Sequence, residues 1–419
     1  MYISLHYPLL PMDDSKIVSS KVSLTLDLPP SCIQFCKLHP NLFVVGTYNL
    51  ERNDDVQKET DNDDDTDTAT ATKTPQSRNG SLLVFNVVGD DFHLVQTVSQ
   101  PSAILDLRFH PQKGKEDIMA VVSSTGTLAV FKLDPKTNPS APLQHISTSR
   151  CDDIPENILF LQCNWHPEVP DLIGLTTSTG SARILHLDEE YRITQNFADL
   201  SIANSLEAWC IAFSPATPES TKDKAQVAAY CGGDDSMLRY TSCIWDSKEP
   251  DSPFEEPYQP ATIKGVHDAG VTAILPLFPF TKNSGRVVVT GSYDDHLRVF
   301  VVHDLHESYG MKKVELVLEQ NLGGGVWRLD LVKIQDSKES IKVRILASCM
   351  HAGARLLDLE VKNDKDWSCE ILARFEEHKS MNYGSDFFRD NEPSEVVRCV
   401  STSFYDKLLC LWQYIPANK

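Results

Sequence analysis

No run in this chain approaches the roughly 18 consecutive apolar residues of a membrane span. The first residues, Met1 to Pro11, are apolar but too short and too rich in Pro and His for a signal peptide. A soluble, cytoplasmic protein with no membrane partner is expected. CxxC pairs and histidines at zinc spacing are also missing, although there are eleven cysteines. They are scattered, several inside apolar runs (Cys163, Cys231, Cys349, Cys399), which suits buried reduced thiols better than a disulfide framework or a metal site. Positive charge is scarce: 39 Lys and Arg face 59 Asp and Glu, a formal charge of −20 with a pI near 5.0. That balance argues against nucleic acid, whose recognition rests on clustered cations. Helical periodicity is almost absent. So are a G-x-S-x-G elbow, a Gly-rich phosphate loop and an H-E-x-x-H pair, and neither cofactor nor metal is expected.

What the chain does have is short strands in a repeating order. Its 419 residues are 41% hydrophobic, enough for a large core. Lys21 to Leu28 alternates as a half-buried strand does, and it stands alone. Cys32 to Phe35, Leu42 to Tyr48, Ser81 to Val88 and Phe92 to Val98 then form one four-strand unit. Glu51 to Thr68 interrupts it with nine acids against Arg52 and Lys58. With the Thr-rich tract beyond, this makes a disordered acidic insertion at about 51–79, too polar to repay its ordering entropy.

Aligning the turn after each second strand gives Thr125, Thr179, Asp234, Asp294, His351 and Asp406, at separations of 54, 55, 60, 57 and 55 residues by subtraction. An earlier equivalent near Thr47 makes about seven units. Four short strands at this period predict an all-β, seven-bladed WD-repeat β-propeller forming a single domain over 1–419. Degenerate WD motifs support it: Thr290 to Phe300 (TGSYDDHLRVF) after Gly265 to His267, and Ser403 to Trp412 (SFYDKLLCLW). His267, Ser292 and Asp294 are expected to form a buried structural network, with Asp234 and Asp406 in the same role. The lone N-terminal strand can complete the last blade and close the ring, which removes an exposed edge.

In such a ring the loops entering each first strand meet the turns between second and third strands at one channel mouth. Those loops read SAILD at Ser102 to Asp106, EAWC at Glu207 to Cys210, GVTAI at Gly270 to Ile274, GGGVWR at Gly323 to Arg328 and MNYGSD at Met381 to Asp386. Several set an aromatic beside a charge, which strand starts do not require. The three glycines before Trp327 allow backbone to approach a ligand, or permit a tight turn between blades. His351 replaces the aspartate of the blade network. A histidine with no network to serve can act as a base, since its pKa lies near neutrality; it can also simply fill the turn. Cys349, two residues earlier, raises a Cys-His pair as a further alternative.

The set SAILDLRFHP, EAWCIAF, GGDDSMLR, TGSYDDHLRVF, GGGVWRLDL, SCMHAGARLLDL, NYGSDF and STSFYDKLLCLW resembles the diphthine methyltransferase WD-repeat family, from about Cys32 to Trp412. GGGVWR and CMHAG carry the resemblance best, because neither is repeat consensus. The acidic tract and the excursion at Thr241 to Pro260 depart from it. The resemblance implies a diphthine methylesterase. Its partner would be translation elongation factor 2, bearing a histidine with a methylated aminocarboxypropyl group, and the methyl ester would be hydrolysed with release of methanol. A trimethylammonium prefers aromatic faces and nearby carboxylates, which Trp209, Trp327 and Tyr383 with Glu207 and Asp106 could supply. Ester cleavage needs a base and oxyanion donors. His351 is the candidate base, and Arg328 with the amides of Gly324 and Gly325 the candidate donors; these roles come from the residues, not from the family. A monomer is expected. The competing class is a non-catalytic scaffold or ubiquitin-ligase substrate adaptor, because fold does not imply function.

Overall fold

A computed structural model describes residues 16–50, 78–215, 224–249, 253–277, 285–302, 305–306, 310–311, 314–363, 365–389 and 395–416. The described chain contains no helix and forms seven small sheets in a ring, the expected seven-bladed propeller. Blade 1 runs Pro30–Phe35, Leu42–Thr47, Arg78–Val88 and Asp91–Gln100 from the channel outward. Blades 2 to 7 begin at the channel with Ile104–Phe109, Phe160–Trp165, Ala208–Phe213, Val271–Pro276, Arg328–Asp336 and Gly384–Phe387. Adjacent inner strands touch in order, and the last touches the first.

Each blade is an antiparallel meander whose two faces are both covered by neighbouring blades. Its middle strands therefore read as nearly continuous apolar runs, Leu42–Thr47 and Ile118–Ser123 being buried at every residue. The core is a set of clusters lying between blades. Between blades 7 and 1, for instance, Phe35, Phe43 and Phe85 pack with Leu409 and Leu411. Inner-strand side chains also stitch blade to blade: Gln34 accepts the amide of Phe109 (2.6 Å), Gln162 that of Ile211 (2.8 Å), and Asp386 that of Phe35 (2.7 Å).

The N-terminal segment closes the ring as expected. Ser20–Thr25 pairs antiparallel with Leu408–Tyr414 and supplies the outer strand of blade 7. One feature was not legible: Lys16–Val18 pairs parallel with the outer strand of blade 6, Asp366–Phe375, so the N-terminus ties two blades together. The insertion read at 51–79 is shorter than expected. Arg78 and Asn79 begin a strand and pair with Leu50 and Asn49, whereas 51–77 lie outside the described residues. The described cysteines are all free, and all but Cys369 are buried. Among the described residues no helix is long and apolar enough to cross a membrane.

The WD-type network takes a modified form. His267 bonds Thr290 (2.9 Å), and Ser292 donates to the Ala269 carbonyl (3.0 Å). Asp294 accepts the amides of Asp268 (2.8 Å) and His296 (3.1 Å) and the guanidinium of Arg298. Blade 7 holds a fuller version around His378, Ser401 and Trp412, and Asp406 binds Ser380, Ser403 and the Lys379 amide. Asp234 does not have the structural role expected for it. Its neighbour Asp235 takes that role, accepting the amides of Ser205 and Met237 and the guanidinium of Arg239, four residues on.

Candidate functional site

Freed from the blade network, Asp234 turns toward the channel mouth and accepts the indole N–H of Trp209 at 2.5 Å. Trp209 lies 5.4 Å from Trp327 between ring centroids; Trp327 lies 5.9 Å from Tyr293 and 4.9 Å from Tyr383; Tyr383 lies 5.4 Å from Phe404, which lies 6.1 Å from Tyr48. All six aromatics are half-buried. Five blades thus contribute to one aromatic crescent, with faces tilted rather than stacked against one another. Sequence reading identified Trp209, Trp327 and Tyr383. Tyr293, Phe404 and Tyr48 were missed because they come from the turns after second strands and not from the loops entering first strands, though the repeat alignment already marked those turns.

The crescent is electronegative. Burial holds the Asp234 carboxyl above its ordinary value against the Trp209 hydrogen bond, and the charges of Glu207 and Asp235 push the same way. Burial, then the charge of Asp234, also raises the Tyr293 hydroxyl. The charge of Glu207 acts on both Asp234 and Tyr293, which places it near this group. The ensemble suits a cation that offers no hydrogen bonds, because aromatic faces and nearby carboxylates attract charge without demanding donors.

Beside Trp327, the glycine loop packs on the turn that carries His351. A Cβ on Gly324 would lie 2.4 Å from the Cys349 carbonyl oxygen and 2.7 Å from Ala352 Cβ; one on Gly325 would lie 2.6 Å from Met350 Sδ. GGGVWR and CMHAG do meet, and the close approach is between the two segments themselves. Both glycines are buried, yet among the described residues the amides of Gly324 and Gly325 have no acceptor; the next amides are taken, Val326 by the Ser292 carbonyl (2.9 Å) and Trp327 by that of Ser348 (2.8 Å). His351 is exposed on its turn and has no hydrogen-bond or ion-pair partner among the described residues. Cys349 cannot pair with it: the thiol is fully buried, donates toward the Ala347 carbonyl, and is pushed up to about 12 by burial.

Two expected site residues leave the mouth. Asp106 is 1% exposed and lies in the channel, where it accepts the amides of Leu107 (2.9 Å) and Cys163 (3.3 Å). Arg328 reaches across from blade 6 to meet it at 2.5 Å, with Arg108 on the carboxylate's other oxygen at 3.3 Å. Burial raises Asp106 to about 6, against the pull of Arg108 and those amides. The expected carboxylate of an open mouth is thus an internal strut. One Arg328 nitrogen, Nη1, is buried with no hydrogen-bond partner among the described residues. No cluster of three or more metal-ligating side chains occurs among the described residues.

Fold and mouth together define a class: a WD-type propeller with an aromatic, acid-rimmed site at one end of its channel. Over 396 residues the chain is 27% identical to a protein named "Diphthine methyltransferase homolog" from Dictyostelium discoideum, covering 92% of this chain and 97% of that one. It is 25% identical over 404 residues to "Diphthine methyltransferase" of Schizosaccharomyces pombe, covering 96% and 100%, and 24% identical over 376 residues to that of Homo sapiens, covering 86% and 73%. No protein-family model matches the chain. These likenesses extend over most of each relative, and the chain fits the diphthine methyltransferase family that its motifs resemble.

Proposed function

We propose that this protein acts in diphthamide biosynthesis as a diphthine methylesterase, hydrolysing the methyl ester of methylated diphthine on translation elongation factor 2 in the cytoplasm. The observation that carries the reading is the crescent of Trp209, Tyr293, Trp327 and Tyr383 rimmed by Glu207 and Asp234. A trimethylammonium bound there gains on the order of 0.5–2 kcal/mol per good aromatic face, more as the site is desolvated. In an amino-acid-type ester the ammonium and the carbonyl share one carbon, so a caged ammonium holds the ester beside Trp327. The free amides of Gly324 and Gly325 and the unpaired Nη1 of Arg328 are available to a developing oxyanion. His351 is retained as a candidate base at the mouth. The channel holds another, Asp330.

The test is to incubate purified protein with elongation factor 2 carrying the methylated intermediate and to follow the loss of one methyl by mass, with methanol as the co-product. Full conversion is expected, and Trp327→Ala should raise KM more than tenfold. Unchanged mass with folded protein would leave the scaffold reading standing.

A further inference from the structure

Three aspartates enter the channel from three inner strands: Asp106 from blade 2, Asp330 from blade 6 and Asp386 from blade 7. Arg108, Arg328 and Arg389 accompany them. Two of the aspartates hold the ring together. Asp106 has the partners given above, and Asp386 accepts the amides of Phe35 (2.7 Å) and Phe387 (2.8 Å) and the guanidinium of Arg389 (3.4 Å). Asp330 has no such task. It is half-buried, and among the described residues its carboxylate has neither a hydrogen bond nor an ion pair.

Its place along the strand matters. Trp327, Arg328 and Asp330 follow one another from the mouth inward, and Arg328 and Asp330 share a strand face by the period of two. Asp106 pins Arg328 across the channel. At ~3.3 Å per residue, the Asp330 Cα lies roughly 10 Å inward of the Trp327 Cα. That is about the length taken up by a caged ammonium, its ester carbon, one water and a carboxylate.

We propose that Asp330 is the general base of the hydrolysis, taking a proton from the attacking water while Arg328 receives the oxyanion. The proposal rests on the methylesterase reading. Water oxygen bonds to the ester carbonyl carbon as its proton passes to the Asp330 carboxylate. The tetrahedral intermediate then expels methoxide, which recovers that proton from Asp330 and leaves as methanol. The product acid ionises, so ester and water become carboxylate, methanol and one proton.

The electrostatics support the role. Burial and then the charge of Asp386 raise Asp330 to about 7, opposed by Arg108 and Arg389, with Asp106 adding to the rise. Arg328 is the remaining charged neighbour on its own strand face. A base must be ionised, so kcat/KM should fall as pH drops through about 7. The raised acid also destabilises the fold progressively as pH rises from about 4 toward 7, where the ionised form becomes the buried one.

The experiment compares the full-length parent, Asp330→Asn and Asp330→Glu on the methylated elongation factor between pH 5.5 and 8.5, with the enzyme-free rate subtracted. Asp330→Asn should lower kcat by about 10²–10⁴-fold, lose the acidic limb, and unfold at pH 8 at the same or a higher temperature than the parent. Asp330→Glu should recover part of the rate together with the limb. Asp330→Asn within threefold of the parent and with the limb intact would overturn the proposal while leaving the methylesterase reading in place. An inactive parent would overturn both.

Discussion

His351 shows what one substitution does within a repeat. In blades 4 and 5 the residue at this place is an aspartate that accepts backbone amides and the guanidinium of an arginine four residues on, Asp235 with Arg239 and Asp294 with Arg298. Blade 6 keeps the arginine, Arg355, but sets a histidine four residues before it. Arg355 turns instead to the carbonyls of Leu322, Ala352 and Ala354 and to Glu376. The turn is held without His351. We therefore expect His351→Ala to change stability by no more than about 0.5 kcal/mol, as at other exposed positions. If His351 serves the reaction, turnover on the methylated elongation factor falls; activity equal to the parent removes it from the mechanism. The same arginine explains the misassigned aspartate. Asp234 and Asp235 are adjacent, so alignment by turn position could not separate them, whereas spacing from Arg239 could have. Asp106 was harder to read, because only ring closure reveals that Arg328 of blade 6 faces it across the channel.

Among the elements, the glycine loop and the 349–352 turn form one packed unit. Sequence left the three glycines undecided between a ligand and a tight turn, and the geometry divides them. Gly323 has φ +86°, a conformation other residues adopt rarely, and Gly324 is pressed against the turn backbone. Gly324→Ala would force the Cys349 carbonyl aside, at a cost of about 1–3 kcal/mol. We expect a lower unfolding temperature and a displaced turn, read by thermal denaturation and by a raised KM. Gly325→Ala meets only the flexible end of Met350 and should be milder. Strand order, turn positions and the closing N-terminal strand were all readable, since alternation and punctuation are local. The crescent was only half readable: the repeat alignment marks the turns that carry Tyr293, Phe404 and Tyr48, but only the folded blades show that these rings meet Trp327 and Tyr383.

For the whole molecule, closure depends on the N-terminal segment. Val18 and Leu26 are buried, and Ser20–Thr25 covers the outer edge of blade 7. Removing residues 1–26 gives up roughly 1.5–3 kcal/mol for each of the two apolar side chains and exposes a strand edge open to pairing with another chain. A lower denaturation midpoint and concentration-dependent association by size-exclusion chromatography are the expected results; an unchanged midpoint and a monomeric profile would show that closure does not depend on this segment.

That same pairing sets an order in time. Ser20 lies opposite Trp412, so this strand finds its partner only after all seven inner strands have followed it from the ribosome. Blades 1 to 5 can assemble as they emerge, each on the one before, whereas blades 6 and 7 both take up strands made before blade 1. During that interval the N-terminal strand is an unpaired edge, and a chain stalled before residue 408 would never cover it. A premature stop in the last blade would therefore leave both ends of the ring open at once.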